Sequence, residues 1–113
     1  MNPEISARLE GFHIRVMAEG DGYCMFVRDG CLGMAPRTAD SAGFSGIGST
    51  GMALDQGLAY LVWREGMPFL VGRGFELPAS PEQVALIRRF STDLQSALGV
   101  AGVAGAWNPT SKT

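Results

Sequence analysis

Asp29-Gly30 most constrains how this chain can fold. It separates two apolar runs, Tyr23 to Arg28 and Cys31 to Ala35. Asp-Gly between such runs is a strong signal for a two-residue hairpin turn, because both turn positions need positive φ. The turn then sets the register. Arg28 falls opposite Cys31, Val27 opposite Leu32, Met25 opposite Met34 and Cys24 opposite Ala35. One face carries Tyr23, Met25, Val27, Leu32 and Met34 and reads as core. The other carries Cys24, Phe26, Arg28 and Cys31. The two cysteines are then roughly 13 Å apart along the hairpin. A disulfide needs Cα atoms within about 7 Å, so two free thiols are expected.

A second hairpin is expected around Glu65-Gly66, from Leu58 to Arg64 and from Phe69 to Phe75. Both of its faces are apolar, as in central strands covered on two sides. Upstream, Phe12 to Met17 alternates with period two, with Phe12, Ile14 and Val16 on one side and His13 and Arg15 on the other. Before it, Asn2 caps a short helix with Pro3 at its first position, Ile5 and Leu9 on one side, and Gly11 closing it in a left-handed conformation. Ser80-Pro81-Glu82-Gln83 is a capping box. Val84, Ile87, Phe90, Leu94 and Leu98 then recur at helical spacing until Gly99, which predicts an amphipathic helix over 81–98.

Between the hairpins, Pro36 to Gly57 loses its pattern and gathers five glycines. It reads as a long loop with one short strand or helical turn near Met52 to Asp55. The expected fold is α+β: an antiparallel sheet of about five strands, the C-terminal helix on one face, and a short N-terminal helix. Residues 1–99 form one domain, and 100–113, with Trp107, read as a flexible tail.

The chain has 113 residues, 9 basic and 11 acidic, for a net charge of −2. That balance argues against nucleic acid. No stretch approaches the ~20 apolar residues of a membrane helix, and no signal peptide is visible, so a cytoplasmic location is expected. Gly46-Ile47-Gly48-Ser49-Thr50-Gly51 matches G-x-G-x-x-G, but no strand precedes it and no helix is expected after it. No cofactor is implied. One His and two Cys on a single hairpin do not make a tetrahedral metal site. His13 beside Cys24 or Cys31 is the one candidate nucleophilic pair.

Arg15, Arg28, Arg64 and Arg73 all fall on expected strands. If they shared a face, they and the 36–57 loop would suit a small ligand or anion. Phe26 and Trp63, with the same arginines, are the candidate contacts for a protein partner. The order helix, three strands, loop, two strands, helix resembles the class I type III secretion chaperones. Two stretches resemble that family in texture: Asp21 to Leu32, like its second and third strands, and Gly51 to Pro68, like its fourth and fifth. The resemblance implies a non-enzymatic homodimer that holds an extended partner chain on apolar strand and helix surfaces. It assigns no single site residue.

Overall fold

A computed structural model describes residues 2–38 and 43–100. The Trp107 tail and part of the 36–57 loop lie outside them. The class is as expected: α+β, with one antiparallel sheet and two helices. The sheet has seven strands rather than five. They are β1 (Arg15–Glu19), β2 (Tyr23–Arg28), β3 (Cys31–Pro36), β4 (Thr50–Leu54), β5 (Gly57–Arg64), β6 (Met67–Gly72) and β7 (Phe75–Pro78). Each pairs with the next in a simple meander.

The two extra strands come from turns that the sequence pattern hides. β4 occupies the end of the supposed glycine loop and returns to β5 through Asp55-Gln56, with Leu54 opposite Gly57. β7 is cut from the second hairpin by Arg73-Gly74, with Gly72 opposite Phe75. Gly74, at φ 82°, supplies the left-handed residue that this turn needs.

The two expected hairpins keep their turns. Asp29 and Gly30 have φ of 50° and 82°, and Glu65 and Gly66 have 50° and 79°. Two successive positive φ values mark type I′ turns, whose twist matches that of the strands. The register across Asp29-Gly30 is the expected one, including Cys24 opposite Ala35. Both cysteines are free.

α1 (Pro3–Gly11) is capped by Asn2, whose Oδ1 accepts the Glu4 N–H at 2.7 Å. The left-handed residue after it is His13, at φ 59°, and not Gly11. The expected first strand therefore starts three residues late, at Arg15. α2 (Pro81–Leu98) has the complete Ser80/Gln83 capping box and ends at Gly99 in the left-handed conformation. α1 leans on the end of α2. Arg8 Nε donates to the Ala97 carbonyl at 2.8 Å. There it satisfies a terminal carbonyl and complements the negative end of the helix dipole.

Both helices cover the same face of the sheet. The core joins Ile5 and Leu9 of α1, Ile87, Phe90, Leu94 and Ala97 of α2, and the strand residues Cys24, Phe26, Cys31, Ala35, Ala59, Leu61 and Leu70. Phe44 and Ile47 of the β3–β4 loop close its side, with Phe44 edge-on to Phe26 at 5.7 Å. This inverts the expected faces of the first hairpin. Cys24 and Phe26 are fully buried, whereas Tyr23 is 40 % exposed. The cause is steric. A Cβ on Gly33 would stand 3.1 Å from Phe90 and 3.2 Å from Leu94. The small residues Cys31, Gly33 and Ala35 let α2 approach, and the larger β3 side chains, Leu32 and Met34, face the other way.

The outer strands are guarded. β1 carries a bulge between Val16 and Ala18, and β7 is four residues long and ends at Pro78. Bulges, short strands and proline all discourage edge-to-edge pairing. No helix among the described residues is long and apolar enough to cross a membrane.

Candidate functional site

Opposite residues of an antiparallel ladder share a face. The register can therefore be followed straight across the sheet. One row runs Arg15–Val27–Leu32–Gly51–Tyr60–Val71–Glu76 and crosses all seven strands. It lies on the face away from the helices. Beside it, Ala18, Met25 and Met34 continue the face at one end. Val62, Phe69 and Pro78 continue it at the other. Leu32 is buried at the centre, and the large residues around it are half-buried or exposed, with Leu58 at 44 % and Met67 at 60 %. No described helix covers this face. A contiguous apolar surface of this kind marks an interaction site more often than an ordinary monomer surface.

The four strand arginines do not converge. Arg28 sits on the helix face. Its Nη1 donates to the Phe12 carbonyl at 3.0 Å and to Asp93 Oδ2 at 2.8 Å, and its guanidinium lies 5.7 Å from the Phe90 ring centre. Arg64 lies on the open face and bonds Glu76 at 2.5 Å. Arg15 is exposed on β1, and Arg73 belongs to the β6–β7 turn. Phe26 is fully buried and offers no contact surface. Trp63 packs at the edge of the core with the Arg88 guanidinium 5.0 Å above its ring.

The glycine loop holds no phosphate cradle in its described part. Gly48 N–H is spent on the Met34 carbonyl at 2.6 Å, and strand β4 follows where a phosphate site requires a helix. The cavity beside Arg28, about 500 Å³, is lined by Phe12, His13, Asp29, Cys31, Leu86, Arg89 and Asp93 besides Arg28. It thus brings His13 and Cys31 to one place. Burial pushes the Cys31 thiol above its ordinary 9.0, against the weaker opposing pull of Arg28. A thiol held protonated is a poor nucleophile.

Cys24 lies apart from His13. Arg37 Nη2 donates to its sulfur at 3.0 Å and to Glu19 Oε1 at 2.7 Å. Burial raises this thiol too, and Arg37 only partly offsets it. No group of three or more potential metal ligands occurs among the described residues.

Both thiols are therefore expected to resist a disulfide reagent in the native protein near neutral pH and to react at once in denaturant. Stoichiometric labelling of the folded protein within the mixing time would contradict this. The sign of the pH effect follows. Above pH 9.0 the unfolded thiols release protons that the native ones keep. Their contribution to stability is present below that pH and is lost as pH rises through the native values.

The open-face residues Met25, Val27, Tyr60, Val62, Phe69 and Val71 were not legible as a site. The first two read as core, and the others belong to strands apolar on both sides. The usable signal was the Cys31-Gly33-Ala35 alternation, which marks the side a helix approaches. Comparison with models of known families, with curated proteins and with solved structures found no match.

Proposed function

We propose that this chain is a non-enzymatic protein-binding or assembly module that works through the open face of its sheet. The observation that carries this is the cross-strand row from Arg15 to Glu76, apolar throughout its interior and uncovered by either helix. Such a face suits a second sheet or an extended apolar segment. The resemblance to secretion chaperones, homodimers that hold an extended chain, points to the same use.

Methionine methyls provide the test. Met25 and Met34 lie on the open face, whereas Met52 packs against the core. With methyl-labelled protein and a soluble paramagnetic agent, the Met25 and Met34 signals are expected to become shielded in one of two ways. Either rising protein concentration or added extended apolar peptides would shield them, with Met52 unchanged. Full accessibility of both methyls under every condition would overturn the proposal.

A further inference from the structure

We propose that the occupant of the open face is a second copy of this chain, related by a two-fold axis that runs along the strands and passes above Gly51, midway between the two sheets. The proposal rests on reading that face as a docking surface and adds its partner and geometry.

The charges at the ends of the row select both. Gly51 is the fourth of the seven positions and so stands at the centre. Arg15 is at one end, exposed, with no ion-pair partner among the described residues. Glu76 is at the other end. Its Oε1 takes Arg64 of the same chain, which leaves Oε2 for another donor. Turning one sheet over the other about an axis along the strands places β1 over β7, β2 over β6 and β3 over β5. Arg15 of each copy then meets Glu76 of the other, twice by symmetry. Val27 meets Val71, and the half-buried Tyr60 lies over the partner's Leu32 position, where Leu32 itself is already buried within its own sheet. An axis across the strands would instead set Arg15 against Arg15 and Glu76 against Glu76. Either axis gives an isologous two-fold contact, the commonest arrangement in soluble oligomers, and the charges choose between them.

The size is sufficient. Seven strands at about 4.8 Å spacing span about 29 Å, and strands of this length run about 17 Å. Two such faces together bury on the order of 1,000 Å², near the lower bound for a specific interface. Aligned sheets pack about 10 Å apart at roughly −30°. The edges could not do this work alone, since the bulge in β1 and the short β7 disfavour edge-to-edge pairing.

Sedimentation equilibrium and cysteine cross-linking test the geometry together. The unmodified chain is expected to sediment as a dimer. Arg15→Glu or Glu76→Arg alone should weaken it about tenfold. The swapped double variant R15E/E76R should recover most of that loss. Both positions are exposed, and a thermal melt of each variant confirms that it folds. Separately, an equimolar mixture of Arg15→Cys and Glu76→Cys chains should form a disulfide-linked dimer under mild oxidation, and neither chain alone should. The native thiols are 0 % and 2 % exposed and stay out of the reaction.

Cross-linking of Arg15→Cys with itself, or failure of the double swap to restore association, would overturn the proposal. So would a monomer at every concentration. If that monomer still showed Met25 and Met34 shielded by extended peptides, the face would remain a docking surface and only the second copy would be wrong. A dimer unaffected by Tyr60→Asp would use another surface, and both readings would fall.

Discussion

Gly51→Ala is expected to cost about 3 kcal/mol or more, lowering the melting temperature by roughly 12 °C. A Cβ at this position would lie 1.9 Å from the Ala59 carbonyl oxygen and 2.6 Å from the Tyr60 Cα. Both are backbone atoms of β5, so no rotamer change relieves the overlap. β4 must move away from β5 or lose its pairing. Because β4 joins β3 to β5, its displacement divides the sheet into two halves. Thermal unfolding followed by circular dichroism checks this. A loss under 1 kcal/mol would mean that the two strands do not approach as closely as described.

Phe90→Ala is expected to cost about 3–5 kcal/mol, the usual range for a fully buried phenylalanine. Phe90 is completely buried, on the helix stripe that faces β3. Its ring fills the space that Gly33 leaves empty, and it also lies under the Arg28 guanidinium. The site cannot collapse easily, because Gly33 has no side chain to fill the hole. A double-mutant cycle in urea separates the packing term. Gly33→Ala should destabilise the normal protein, since its Cβ would stand 3.1 Å from the Phe90 ring. In the Phe90→Ala background it should cost less or become stabilising, with a coupling of about 1 kcal/mol. Strict additivity would show that ring and glycine do not share the site.

Local chemistry made much of the fold readable. The type I′ turns at Asp29-Gly30 and Glu65-Gly66 need only two residues each, and so does the register that they impose. The Ser80/Gln83 box and Gly99 bound α2 within its own sequence. Where the signal was short-range but degenerate, it failed. Asp55-Gln56 carries no glycine within the turn itself. Arg73-Gly74 sits in a run that reads as one continuous strand. At the start of β1, His13 took the left-handed conformation expected of Gly11, which moved the strand three residues onward.

The candidate site was less readable, because it depends on which face of the sheet the helices choose. Arg15, Arg28, Arg64 and Arg73 all fell on or beside strands, yet only the full register shows that Arg28 turns to α2 while Arg15 and Arg64 lie on the open side. His13 and Cys31 do line one cavity, but burial holds the thiol protonated.

By itself the sequence determined the class, the limits of α2 and the pairing of the first hairpin. Each depends on backbone preferences acting over a few residues. Tertiary structure alone decided the sidedness of the sheet. Period two divides a strand into two faces and does not say which is inside. That choice fell to the pair with the better steric fit, α2 against Cys31, Gly33 and Ala35, and it left Leu32 and Met34 of β3 on the open face.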